Sequence, residues 1–154
     1  MALTQAQERL LQAAKEAARE LGANELGSRG RELTSLIGEL ITCQMMDLTW
    51  EPSNGYDATR GERRVQIKTR KSWSTPNVNR AGRLGLFRRR KGYCFDVGLY
   101  IELNHEFDVV GIWEMDSTKI KALEDAESSD RALHVGTYVR EAKLAFESEQ
   151  RDPG

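Results

Sequence analysis

From Tyr56 to Arg70 the sequence reads as a β-hairpin, and this stretch constrains the fold more than any other. Gly61-Glu62 supplies a two-residue turn of the Gly-X kind. A turn centred there makes residues whose numbers sum to 123 face each other, so Asp57 lies opposite Gln66. Strand side chains alternate, so on the second strand Val65 and Ile67 point one way and Gln66 and Lys68 the other. One face of one hairpin thus collects three polar groups, Asp57, Gln66 and Lys68.

The chain before the hairpin has helical periodicity. Leu10, Leu11, Ala14, Ala17, Ala18 and Leu21 predict a helix over about 4–21, with Gly22 as its stop. Leu33, Leu36, Ile37, Leu40, Ile41, Met45 and Leu48 predict a second over about 29–46. Trp50, Pro52, Asn54 and Gly55 mark a loop. After the hairpin, 72–92 has few apolar positions and several glycines, and reads as a long mobile loop. Strands are predicted over about 95–103, largely apolar as in a central strand, and over about 107–113, joined by a turn at Asn104-His105. Ser117 to Leu123 suits a short helix. Residues from about 129 to 146 fit either a helix or a helix-turn-strand. The fold expected is α/β, one domain over 1–150, with a central mixed sheet of four to five strands flanked by helices.

The net charge of −1 hides a segregation. Between Arg60 and Lys91 there are twelve basic residues and one acid, so that segment is +11 and the remainder −12. Such polarity suits a polyanion-binding zone on an acidic body. The bland alternative is a solvated basic loop. No apolar run is long enough to span a bilayer, and 1–21 lacks the uninterrupted apolar core of a signal peptide. Cys43 and Cys94 match no zinc spacing, and free thiols in a reducing cytoplasm are the simpler reading than one disulfide.

Hydrolysis of a phosphodiester needs a divalent cation to gather phosphate and water, hard oxygen ligands to hold it, and a cation to steady developing charge. Asp57 offers a carboxylate, Gln66 an amide oxygen, Ile67 a backbone carbonyl and Lys68 the cation. Opposed strand residues have Cβ atoms roughly 4.5–5.5 Å apart, which suits two ligands of one ion.

Asn54-Gly55-Tyr56-Asp57-Ala58 followed by Val65-Gln66-Ile67-Lys68-Thr69 resembles the core of the PD-(D/E)XK nuclease superfamily, whose members place an Asp on one strand and an acid, any residue, then Lys on the next. Ile37-Gly38-Glu39-Leu40 resembles its helical element. The resemblance spans about 33–113 and implies a restriction endonuclease-like core. It implies Mg²⁺ or Mn²⁺ held by Asp57, Gln66, the Ile67 carbonyl and Glu39, with Lys68 assisting the attacking water. It also implies a homodimer where both strands of a duplex are cut. Two departures stand out. Gln66 replaces the second acid, as in some branches that remain nucleases, and Tyr56 stands where a proline often precedes the Asp. Glu39 falls off the apolar stripe of its helix; Glu32, a heptad earlier, is a weaker candidate.

In this reading Arg70, Lys71, Arg80, Arg83, Arg88, Arg89, Arg90 and Lys91 hold the phosphates of a nucleic acid, most naturally DNA, without reading bases. Trp73 and Phe87 either stack on unpaired bases or anchor the loop. His105 reads as a turn residue and His134 as structural. The main rival is a nucleic-acid-binding module of the same fold without catalysis. A third reading is an assembly subunit with an acidic body and a basic arm.

Overall fold

The structure, a computed structural model, describes residues 3–26, 29–71, 82–127 and 131–148. Its elements are α1 (Gln5–Leu26), α2 (Arg29–Met46), β1 (Thr49–Ser53), β2 (Tyr56–Arg60), β3 (Arg63–Lys71), β4 (Val97–Leu103), β5 (Val109–Asp116), α3 (Ser117–Ala126), α4 (Val135–Glu141) and β6 (Lys143–Glu147). The strands form one open mixed sheet in chain order, with β3 and β4 parallel and every other pair antiparallel.

The helices start and stop for local reasons. At the N-terminus of α1, Thr4 Oγ1 accepts from the Gln7 N–H at 3.1 Å and Gln7 Oε1 accepts from the Thr4 N–H at 3.0 Å. This reciprocal capping box leaves two fewer donors without partners, and the preceding Leu3 is buried beneath it. The helix runs past Gly22 to Leu26, beyond the predicted stop. At the end of α2, Asp47 takes a left-handed φ of 55° and the Leu48 N–H reaches back to the Cys43 carbonyl at 2.9 Å. That closure turns the chain into β1 and buries Leu48.

The two faces of the sheet carry separate apolar layers. On β4, Val97, Leu99, Ile101 and Leu103 pack with Leu11, Ile37, Leu40 and Ile41 of α1 and α2. Tyr100, with Trp113 of β5, packs on the opposite face with Phe87, Phe95, Ile120 of α3 and Tyr138 of α4. Every residue of β4 is buried, as expected for a strand covered on both sides. Helix α2 sits closest to β3 at Gly38, where a Cβ would collide with the Thr69 side chain.

The predicted hairpin is present in its predicted register: Ala58 pairs with Val65, Thr59 with Arg64 and Arg60 with Arg63. Gly61 takes a φ of +61° in the turn. The Asn104-His105 turn also forms, with Asn104 Oδ1 accepting from the N–H groups of Glu106 and Asp108. Of the 129–146 tail, 129–130 lie outside the described residues, and the rest forms a helix, α4, followed by a strand, β6.

The sheet has six strands where four to five were predicted. Both extra strands lie at its edges. Strand β1 occupies the predicted Trp50–Gly55 loop and carries Pro52, which only an edge tolerates. Strand β6 is exposed along its whole length. Neither shows the alternating burial that marks a strand in sequence. The predicted mobile loop is corrected in its second half. From Gly82 onward the chain is pinned by buried Leu84 and Phe87, while 72–81, with Trp73 and Arg80, lies outside the described residues. Cys43 and Cys94 are free thiols. No helix is long and apolar enough to cross a membrane among the described residues.

Candidate functional site

The site lies where β2 and β3 diverge. Pairing between them is recorded up to Ala58–Val65, and one further step of that register sets Asp57 opposite Gln66. There the Asp57 carboxylate takes the place of backbone: its Oδ2 accepts the Ile67 N–H at 2.8 Å. The N–H and C=O of one strand residue face the same neighbour, so the Ile67 carbonyl is directed to this side as well.

Glu39 reaches the same place from α2. Trp50 Nε1 of β1 donates to its Oε1 at 3.3 Å. Its carboxyl is close enough to Asp57 for the two charges to act on each other. Burial, then the negative charge of Asp57, push Glu39 up from 4.5 to about 7. Burial pushes Asp57 above its ordinary value too, against the Ile67 N–H and the charges of Lys68 and Arg89. Both carboxyls are therefore easier to protonate than ordinary ones. Cys43, one turn beyond Glu39, is pushed up to about 12 by burial and by both carboxylates, which leaves it an unreactive thiol.

Gln66 is 3% exposed, and its Oε1 is buried without a hydrogen-bond partner. An unpaired buried acceptor costs about 1–3 kcal/mol. Thr69 Oγ1 is the other such atom among the described residues, and it fills the notch left by Gly38. Lys68 is largely buried, with Nζ 5.4 Å from the centre of the Phe87 ring. Burial, then the positive charge of Arg89, lower its pKa from 10.5, while Asp57, Glu124 and Glu39 pull it back up.

These donors are all oxygens, two acidic and one a neutral amide without a partner, the set that Mg²⁺ or Mn²⁺ prefers. Among the described residues, no three His, Cys, Asp or Glu side chains converge as a metal group. The set depends on Gln66 to supply its third side chain.

The predicted basic zone divides in two. At the hairpin tip, Arg60 pairs with Glu114 at 3.1 Å, Arg63 with Asp116 at 3.2 Å and Arg64 with Asp96 at 3.6 Å. Arg70 donates to the Arg83 carbonyl, and Arg83 is itself held by Glu127, the Ala132 carbonyl and His134. His134 thus lies in an exposed contact with Arg83, directly before α4. Lys71 lies over the Phe107 ring at 4.5 Å. Arg88 lies 3.9 Å from Asp125. Arg89, Arg90 and Lys91 are exposed and form no ion pair among the described residues.

Two participants were not foreseen. Trp50, placed in a loop by sequence, is the indole that orients Glu39. Glu124, 2% exposed, accepts the N–H groups of Phe87 and Arg88 at 2.8 and 3.2 Å and the Tyr93 hydroxyl at 2.5 Å. A signal for it existed: Glu124 follows Ile120 by four residues and so falls on the buried face of α3.

Fold and site together define an α/β protein with a paired-carboxyl, oxygen-donor site at the mouth of a hairpin, faced by a lysine and an exposed basic turn. No protein-family model matches the chain, and no curated protein aligns with it significantly.

Proposed function

We propose that this protein is a metal-dependent nuclease of the PD-(D/E)XK type, hydrolysing phosphodiester bonds in DNA. The observation that carries this reading is the meeting of two carboxyls, Asp57 fastened to the Ile67 N–H and Glu39 held by Trp50, at the strand that carries the orphaned Gln66 oxygen and, on the same face as Gln66, Lys68. The restriction endonuclease-like core is part of the proposal. In support, β2 and β3 hold the site, α2 supplies the helical acid and β4 runs parallel to β3.

Mg²⁺ or Mn²⁺ would be held by Asp57, Glu39, Gln66 Oε1 and the Ile67 carbonyl, and when bound would supply Lewis-acid activation of the phosphate and of water. The chain's own contributions follow from the geometry. Asp57 is locked by the Ile67 N–H, so one oxygen stays oriented while the other is left to bind. Glu39, easier to protonate than an ordinary carboxyl, would have to be deprotonated to act as a ligand. Lys68, partly desolvated above Phe87, presents its ammonium to a phosphate oxygen where charge accumulates. Arg89, Arg90 and Lys91 hold flanking phosphates.

The test is cleavage of mixed plasmid and single-stranded DNA with Mg²⁺ or Mn²⁺, with Asp57→Ala as control. Cleavage by the parent chain and loss of it in the control supports the reading. Equal activity in the two rejects it. The second reading, a binding module without catalysis, is favoured by one observation: Gln66 removes a negative charge from the cation site. That reading requires DNA binding that ignores Mg²⁺.

A further inference from the structure

The segment between Gly82 and Phe95 has little regular structure of its own; its start is tied to the chain around Leu133 and His134, and its middle is fastened by one carboxylate. Glu124 is almost fully buried, and its carboxylate accepts the N–H groups of Phe87 and Arg88 and the hydroxyl of Tyr93, all in this segment. Between those anchors the chain closes on itself. The Arg89 N–H donates to the Gly92 carbonyl at 2.9 Å and the Gly92 N–H to the Arg89 carbonyl at 2.8 Å. Gly92, at a φ of +92°, closes the turn in a conformation that disfavours other residues. The turn is therefore preformed, with Arg89, Arg90 and Lys91 outward and exposed. Its inner residue Phe87 is the ring under Lys68, so the same anchor sets the floor of the proposed site.

We infer that Glu124 is a positioning residue that presets a clamp for the nucleic-acid backbone, fixing the cations of Arg89, Arg90 and Lys91 beside the face that carries Asp57 and Lys68. This rests on the nucleic-acid reading above. A carboxylate buried under a basic turn costs desolvation. Holding three exposed cations in place offsets that cost, because binding then loses less conformational freedom. The ligand chemistry is the phosphodiester backbone, recognised by charge and spacing without base contacts.

The experiment measures binding of the full chain to a short DNA duplex of arbitrary sequence, in chelator, across a salt series, together with amide hydrogen exchange. Replacing Arg89, Arg90 and Lys91 by alanine should lower the log–log salt slope by roughly 2–3, about 0.9 per lost contact. Exchange at Phe87 and Arg88 should stay as in the parent. Tyr93→Phe and Glu124→Gln retain every cation, so the slope should hold. Kd should rise roughly three- to tenfold as the turn becomes something binding must order, and exchange at Phe87 and Arg88 should accelerate. If Glu124→Gln does not fold, Tyr93→Phe carries the test. Folded Tyr93→Phe with the parent Kd, or an unchanged slope in the triple variant, overturns the clamp. The two readings separate: DNA cleavage with an unchanged slope removes the clamp alone, and the predicted shifts without cleavage remove the nuclease alone.

Discussion

The Asp57 carboxylate accepts the backbone N–H of Ile67 at 2.8 Å, so the acid of one strand is fastened to the strand that carries Gln66 and Lys68. The hairpin needs no further pairing at that point, and the space beyond is left to side chains. Glu39 approaches it from α2 and holds its proton more tightly than an ordinary carboxyl does.

That proton makes stability depend on pH in an unusual direction. Glu39 binds its proton more tightly folded, at about 7, than unfolded, at 4.5. The stabilisation is fully present below pH 4.5 and is lost as pH rises through 7. The loss is at most about 3 kcal/mol, and nearer 1 kcal/mol with solvent screening of a half-exposed group. Urea unfolding in chelator should show falling stability from pH 5 to 8, against the usual trend for paired carboxylates. Glu39→Gln should flatten that fall. Asp57→Asn should bring the Glu39 titration, followed by carbon NMR, back toward 4.5. A Glu39 midpoint that stays near 7 in Asp57→Asn would show that burial alone sets it.

The close contact of α2 with β3 gives a second test, independent of function. A methyl group at Gly38 would collide with the Thr69 side chain. Alanine in place of glycine favours a helix by about 1 kcal/mol, but overpacking a tight contact costs about 1–3 kcal/mol. Gly38→Ala should therefore be net destabilising. Thr69→Ala removes Oγ1, Cγ2 and with them an unpaired buried hydroxyl, but its own Cβ would still lie 2.7 Å from the new methyl, so the double variant should recover only part of the loss. Additive effects in that cycle would refute the contact.

How much of this the sequence revealed follows from where its periods are strong. The hairpin register and α2 were legible because strict alternation around Gly61-Glu62 and a long 3.6-residue stripe each allow one answer. Strands β1 and β6 were not, since an edge strand needs no buried alternation. Glu39 was ambiguous from angle alone: it is held by the indole of Trp50 on β1, a strand the sequence had not predicted. The role of Glu124 was hidden because its partners lie more than thirty residues away, in a segment without periodicity.

Gln66→Glu tests the donor set. It adds the charge that the resemblance expects at this position, in place of an amide whose oxygen lacks a partner. In chelator a third buried carboxyl beside Glu39 and Asp57 should destabilise the fold by about 1–3 kcal/mol. With Mn²⁺ the order should reverse. Calorimetric titration should show at least tenfold tighter binding than the parent, and the melting temperature should rise more steeply with metal. If Mn²⁺ affinity is unchanged, Gln66 does not face the cation.

Lys68→Met separates catalysis from folding. The Lys68 ammonium is partly desolvated against Phe87 and feels the positive charge of Arg89, which together lower its pKa. Replacing it with an apolar chain of similar length keeps the packing on the ring and removes the desolvation cost, so stability should hold within about 1 kcal/mol. Removing its charge also takes a counter-ion from Asp57 and Glu39, so both carboxyls should titrate higher and metal binding should need higher pH. DNA affinity in chelator should change little, because the exposed cations of Arg89, Arg90 and Lys91 remain. Cleavage should fall by roughly 100-fold or more, the scale of losing one preorganised donor to developing charge. A Lys68→Met variant that folds, binds Mn²⁺ at raised pH and still cuts DNA at the parent rate would remove lysine from the proposed mechanism, while leaving the carboxyl pair in place.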